Sequence, residues 1–160
     1  MPIVTRGEYW FVKKSKLHGR GLFARKDIPK GTLIIEYKGT RMPPEDLPDI
    51  DESKPEAHHT VIFTLDNGWL IDANRRGNAA QFANHSCNPN CETIEEAERV
   101  YIRSRKKIPK GAEILYDYHL YLEGPFKKEW LEDYVCHCGS RKCRKIMLDR
   151  KIPKKYRHLT

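Results

Sequence analysis

Long apolar runs are missing from this 160-residue chain: Leu33-Ile34-Ile35 and Ile114-Leu115 are among the longest stretches of aliphatic residues. Spanning a bilayer as a helix takes about 20 consecutive apolar residues, so no transmembrane helix is expected. Met1 to Glu8 has no apolar core of the kind a signal peptide carries. The five cysteines are an odd number gathered into two short windows, which is unlike a secreted disulfide framework. Together these absences point to a reducing, intracellular setting.

What is present is enough to fold. Apolar residues make up 39% of the chain, with three Trp, eight Tyr and five Phe, so the composition argues against wholesale disorder and for one compact domain with an appendage. The net charge of +8 is unevenly placed. Residues 141 to 160 hold nine Lys or Arg against Asp149, which sums to 9 − 1 = +8 and leaves the remainder balanced. Residues 41 to 60 carry Glu45, Asp46, Asp49, Asp51, Glu52 and Glu56 against Arg41 and Lys54. That acidic stretch either attracts a basic peptide or is simply a solvated loop.

Short runs rich in β-formers recur between turn signals: Tyr9 to Val12, Gly21 to Ala24, Thr32 to Tyr37, Val61 to Leu65, Trp69 to Ala73, Val100 to Ile102 and Ala112 to Tyr116. They predict a mainly β fold. Ile-Pro-Lys-Gly occurs at 28 to 31 and again at 108 to 111, each time as a turn leading into a strand, and is taken as local turn chemistry rather than a repeat. Pro43, Pro44, Pro48 and Pro55 make 42 to 57 a loop or a single helical turn. Phe126, Trp130, Leu131 and Tyr134 fall at helical spacing after Pro125, which predicts a short amphipathic helix over 125 to 134.

Four segments could carry chemistry. Cys136, Cys138 and Cys143 form a C-x-C-x4-C cluster suited to Zn²⁺, which takes four tetrahedral ligands; His137, wedged between two of them, is poorly placed to be the fourth, leaving Cys87 or Cys91. Asn84-His85-Ser86-Cys87-Asn88-Pro89-Asn90-Cys91 reads on its own as a polar turn, or as the His85 and Cys87 of a cysteine hydrolase. His18-Gly19-Arg20-Gly21-Leu22-Phe23 offers glycines that let a ligand approach the backbone. Tyr116 and Tyr118 stand two apart on a strand and so share a face.

It is the order of these pieces that identifies them. Arg20-Gly21-Leu22-Phe23, Glu36-Tyr37-Lys38-Gly39, Gly77 to Ala83 running into Asn84 to Cys91, Gly111 to Tyr118, and then the C-x-C-x4-C cluster closely resemble, over residues 6 to 147, a SET domain with its post-SET segment. That resemblance implies a compact β-clip-like fold with knot-like C-terminal threading, short helices and a small zinc-binding post-SET segment. It implies a SET domain over 6 to 119, a connecting segment over 120 to 134 with a short helix, a post-SET zinc segment over 135 to 151, and a basic tail over 152 to 160.

The implied activity is S-adenosylmethionine-dependent methylation of a protein lysine, with a basic substrate such as a histone or nucleoid protein. By the same resemblance His18, Gly19, Arg20, Asn84, His85 and His137 bind the cofactor. Tyr118 is the catalytic tyrosine, Tyr37 lines the lysine channel, and Tyr116 governs how many methyls are added, its hydroxyl favouring mono- or dimethyl products. Cys87, Cys136, Cys138 and Cys143 hold zinc, and Cys91 is spare.

Gln81, where the family often has Arg, and Val61, where it has an aromatic residue, depart from the pattern. The zinc-cluster pre-SET module of some relatives has no counterpart before residue 6. The competing reading is a zinc-stabilised chromatin or nucleic-acid binding module, with Lys142, Arg144, Lys145, Lys151, Lys154, Lys155 and Arg157 contacting phosphates. A histone or nucleoid substrate implies a nuclear or chromosome-associated location, any other substrate a cytoplasmic one.

Overall fold

The computed structural model describes residues 2–48 and 61–160. Asp49, Asp51, Glu52, Lys54 and Glu56 of the acidic stretch, and the Thr60 end of the 41 to 60 segment, lie outside the described residues.

The chain folds as small sheets built on hairpins. Strands β1 (Trp10–Lys14) and β2 (Arg20–Ala24) pair antiparallel from Trp10↔Ala24 to Lys14↔Arg20. Strands β3 (Leu33–Tyr37), β8 (Cys91–Glu96) and β9 (Arg99–Ser104) form a second sheet in the order β3-β9-β8. A third contains β4 (Thr40–Met42), β5 (Ile62–Thr64) and β6 (Leu70–Asp72), ordered β4-β6-β5. The remaining pair, β7 (Asn84–His85) and β10 (Leu115–Tyr116), is parallel.

Each segment expected as a strand overlaps one here, while β4, β7 and β8 add to the expectation. The missing turn signal explains β8. Its hairpin to β9 turns through Ala97 and Glu98, both at positive φ (49° and 60°), a conformation usually given to Asn or Gly. Its sequence Cys-Glu-Thr-Ile-Glu-Glu also carries three acids and reads as solvent-facing.

The two Ile-Pro-Lys-Gly turns are not separate features. Ile28 and Ile108 exchange backbone hydrogen bonds at 2.8 and 2.9 Å. Around them Gly31 N–H donates to Ser104 O and Gly111 N–H to Ala24 O, while Ala24 N–H donates to Ala112 O and Ser104 N–H to Thr32 O. The hairpin β1-β2 with its turn and the hairpin β8-β9 with its turn are thus joined about a local pseudo-twofold. Gly31 (φ 82°) and Gly111 (φ 86°) supply the left-handed conformation that both turns need. Both isoleucines are fully buried in the main apolar core, beside Leu22, Val100, Ile102 and Ile114.

A second, smaller apolar cluster gathers Trp130, Ile146, Leu148 and Ile152 with Leu120, Phe126 and Tyr156. Helix α1 (Trp130–Asp133) is only one turn long, shorter than the spacing predicts. Trp130, Leu131 and Glu132 donate to carbonyls three residues back, the tighter 3-10 pattern, and only Asp133 and Tyr134 reach four back. Phe126 and Trp130 meet edge to face at 5.4 Å. The apolar spacing therefore marks the buried residues rather than a sustained helix. No helix among the described residues is long and apolar enough to cross a membrane.

Candidate functional site

Pairing of β7 with β10 sets Leu115 opposite Asn84 and Tyr116 opposite His85. Two-residue strands are weak by themselves, and side chains reinforce this one. Asn90 acts as a surrogate strand, its Oδ1 accepting Leu115 N–H at 2.9 Å and its Nδ2 donating to Glu113 O at 2.8 Å. Ser86 N–H donates to Tyr116 O at 3.1 Å and Ser86 Oγ accepts Asn88 N–H, closing the loop back on the pair.

Asn84 ties this element to the loop after β1. Its Nδ2 lies 3.0 Å from Arg20 O, 3.2 Å from His18 O and 2.9 Å from Glu113 Oε1. The other Glu113 oxygen accepts Ser15 Oγ–H at 3.0 Å. A Cβ on Gly21 would displace that carboxylate from its hydrogen bonds to Ser15 and Asn84, so glycine there lets the network form. His18, Gly19 and Arg20 are exposed, and Gly19 (φ 44°) has open space where a side chain would stand, leaving its backbone approachable. Arg20 lies over the Phe82 ring at 4.1 Å.

His85 sits at the centre. Its Nδ1 accepts Tyr118 N–H at 3.1 Å, which assigns the proton to Nε2, 3.4 Å from Cys87 Sγ. Burial pushes its pKa down to about 4, against the raising pull of Asp117, so the ring is neutral near pH 7. With its one lone-pair nitrogen already used by the backbone, His85 cannot take a proton from Cys87. That removes the cysteine-hydrolase reading.

Three tyrosines converge beside it. The Tyr118 ring lies 5.2 Å from His85 and 4.9 Å from Tyr116, and its hydroxyl donates to Ala83 O at 2.7 Å. Tyr37 hydroxyl donates to Val61 O at 2.8 Å and its ring lies 5.7 Å from Phe63. Val61 thus serves the tyrosine through its backbone. Burial, the largest cause in each case, raises the pKa of Tyr37, Tyr116 and Tyr118, so all three remain protonated at neutral pH. Gln81 turns its amide back onto Asn78 O at 3.2 Å.

Sγ atoms of Cys87, Cys136, Cys138 and Cys143 lie within 4.8 Å of one another, those of Cys87 and Cys136 at 3.6 Å. Four Zn–S bonds near 2.3 Å make a tetrahedron with edges of about 3.8 Å, so a small contraction of this group suits Zn²⁺. Cys91 is fully buried in β8 within the main core, its thiol pushed up to about 12 chiefly by burial. His137 is exposed between two cysteines of the cluster.

Three side chains not expected at the site hold it together: Glu113, Asp117 and Arg144, the last expected only as a phosphate contact of the competing reading. Arg144 grips Asp117 through both nitrogens, at 2.5 and 3.0 Å, and so connects the residue after Cys143 to the residue between the two tyrosines. Acid within a strand-like run and a cation beside a cysteine ligand were the available signals, but their pairing over a long separation is invisible to local pattern.

Comparison with known proteins agrees with this arrangement. The SET domain profile matches residues 19–119. Over 142 residues the chain is 36% identical to histone-lysine N-methyltransferase 2D of Homo sapiens, covering 86% of this chain and 2% of that protein. It is 37% identical over 149 residues to histone-lysine N-methyltransferase trithorax of Drosophila virilis, covering 89% and 4%. Identity to histone-lysine N-methyltransferase SETD1 of Drosophila melanogaster is 39% over 138 residues, covering 82% and 8%. The chain spans less than a tenth of the length of these relatives.

Proposed function

The chain belongs to the SET-domain family, and from that membership we propose that it is a protein-lysine N-methyltransferase using S-adenosylmethionine, with a histone or other basic protein as substrate. The observation that carries this reading is the clasp of Asn84-His85 by Leu115-Tyr116, in which Asn84 bonds the carbonyls of His18 and Arg20 and His85 lies against Tyr118. Relatives matched over most of this chain are named histone-lysine N-methyltransferases.

In this reading His18, Gly19, Arg20, Asn84 and His85 bind the cosubstrate, with His137 closing over it from the cysteine segment. S-adenosylmethionine supplies, when bound, a methyl group on a positive sulfonium. Approachable backbone at Gly19 and the Asn84 carboxamide anchoring His18 and Arg20 suit such a ligand. Tyr37, Tyr116 and Tyr118 form the aromatic wall of the lysine channel. A free lysine has a pKa of about 10.4 and is charged at pH 7. An aromatic, dry channel disfavours the ammonium, so the proton leaves to water before transfer.

Neutral His85 and the three protonated phenols add no negative charge that would hold that proton in place. Alignment of amine and methyl then supplies most of the rate, on the order of 7–11 kcal/mol for well-oriented groups. Cys87, Cys136, Cys138 and Cys143 would hold zinc, and so held they would tie the post-SET segment over 135 to 151 to the loop following His85, coupling metal binding to completion of the pocket.

A histone substrate places the protein at chromatin. Exposed Lys142, Lys145, Lys151, Lys154 and Lys155 favour additional contact of the C-terminal segment with phosphates. The proposal is tested by incubating zinc-loaded protein with S-adenosylmethionine and core histones and mapping products by mass spectrometry. Methyllysine is expected. No methyllysine, together with no S-adenosylmethionine binding in calorimetry, overturns it in favour of the binding-module reading.

A further inference from the structure

By linear count residues 1 to 140 are electrically balanced, but the fold does not spread their charge evenly. Pairing of Ile28 with Ile108 lays Arg25-Lys26-Asp27-Ile28-Pro29-Lys30 alongside Arg105-Lys106-Lys107-Ile108-Pro109-Lys110. The two paired turns together carry seven cations and one acid, Asp27. Both isoleucines point inward and are fully buried, while all seven cations are exposed.

Little of that charge is neutralised internally. Lys26 pairs with Glu8 at 3.2 Å and Lys107 with Asp27 at 3.2 Å. Among the described residues the side-chain cations of Lys30, Arg105, Lys106 and Lys110 have no carboxylate partner, although Lys110 N–H donates to Asp27 Oδ1 at 2.9 Å, and the Arg25 side chain donates only to Gly7 O at 3.0 Å. The face is continuous with a cleft of about 630 Å³ lined by Thr5, Arg6, Phe11, Val12, Arg25 and Lys110. Three cations and no acid line it.

We propose that the face made by the paired turns, with the Arg6-Arg25-Lys110 cleft at its edge, binds the phosphate backbone of double-stranded nucleic acid without sequence preference. Repulsion among so many unpaired cations is relieved by a partner carrying closely spaced negative charge, and duplex DNA carries one charge per about 1.7 Å of axis. The choice of nucleic acid over an acidic protein follows from what the face lacks. Protein interfaces centre on aromatic or apolar anchors, whereas nucleic-acid interfaces are polar and strongly positive. In the turns the two isoleucines are buried while Lys, Arg, Pro and the single acid Asp27 remain outside, and the cleft at the edge adds only the partly buried Phe11 and Val12. The contact is separate from the C-terminal cations and independent of the methyl-transfer reading.

The test is binding of the zinc-loaded chain to a mixed-sequence DNA duplex by fluorescence anisotropy across a salt series. Replacing Arg25→Gln, Lys106→Gln and Lys110→Gln together is expected to weaken binding at least tenfold at low salt. The slope of log affinity against log salt should fall by about 1 for each phosphate contact removed. Arg25→Lys with Lys106→Arg and Lys110→Arg, which keeps the charge, should retain both affinity and slope. Lys151→Gln with Lys154→Gln and Lys155→Gln reports on the tail separately. Three outcomes overturn the proposal: no duplex binding by the parent chain, an unchanged slope in the first triple variant, or displacement of the duplex by polyglutamate as effectively, charge for charge, as by unlabelled duplex.

Discussion

Arg144 and Asp117 form a two-pronged ion pair, Nη1 to Oδ2 at 2.5 Å and Nη2 to Oδ1 at 3.0 Å. One partner directly follows a cysteine of the cluster, and the other stands between Tyr116 and Tyr118. The pair therefore links the C-terminal segment directly to the stretch that carries the tyrosines. Arg144→Ala would leave a carboxylate that is only 11% exposed without its cation. Loss of one partner of a fully buried pair costs about 3–5 kcal/mol, and the partial exposure of Arg144 brings the expectation to about 2 kcal/mol. Urea unfolding followed by tryptophan fluorescence measures it; an unchanged midpoint contradicts the coupling.

That pair also shows where sequence reading stops. The motif order identified the family and the strands flanking the site, because Gly, Pro and β-branched residues leave local signatures. Placement of Cys87 rather than Cys91 in the sulfur group came from resemblance, and the fold gives the physical reason: Cys91 opens β8 and faces the core. The structural parts of Glu113, Asp117 and Arg144, the last expected only as a phosphate contact, are not legible locally because each acts on a partner distant along the chain. The mutual pairing of the two Ile-Pro-Lys-Gly turns escaped for the same reason, since a tetrapeptide says nothing about what it packs against.

Metal content separates the cysteines. Cys87→Ser is expected to lower bound zinc and to loosen S-adenosylmethionine binding, because the C-terminal segment is then released. Cys91→Ser should keep one zinc per chain while lowering the melting temperature, as a hydroxyl replaces a fully buried thiol. Zinc stoichiometry by atomic emission reads the difference, and equal zinc loss in both variants contradicts the assignment.

Glu113 is a positioning residue, holding Ser15 and Asn84 and through Asn84 the carbonyls of His18 and Arg20. Glu113→Ala strands part of that hydrogen-bond network, at about 1–3 kcal/mol for each buried group left unsatisfied. The expected signature is a higher dissociation constant for S-adenosylmethionine in calorimetry, with histone affinity unchanged. Equal loss of both contradicts the role.

Glu36 joins β3 to β9 through Arg99, at 2.9 and 2.7 Å. Those hydrogen bonds hold its pKa below the ordinary 4.5, outweighing the opposing effect of partial burial. Because the folded value is the lower one, the stabilisation is complete above pH 4.5 and disappears as pH falls through the folded pKa. Glu36→Gln should therefore lower stability near neutral pH and flatten its decline in acid, both only slightly since solvent screens the exposed Arg99. Chemical denaturation across an acid series checks the sign.

Tyr116 packs against Tyr118 at 4.9 Å with its side chain almost fully buried. In its proposed role the hydroxyl would hold a water in the space that a further methyl needs, and its removal would free that space. Tyr116→Phe is expected to shift products toward higher methylation in mass spectra of a lysine peptide, and an unchanged distribution contradicts this role.

Transfer of labelled methyl from S-adenosylmethionine to core histones by zinc-loaded protein, compared with Tyr118→Phe, tests the proposed activity most directly. Label on lysine, reduced at least tenfold in the variant while S-adenosylmethionine binding persists, is the predicted result. Equal transfer by both proteins, or none by either, would contradict the placement of Tyr118 at the reacting centre.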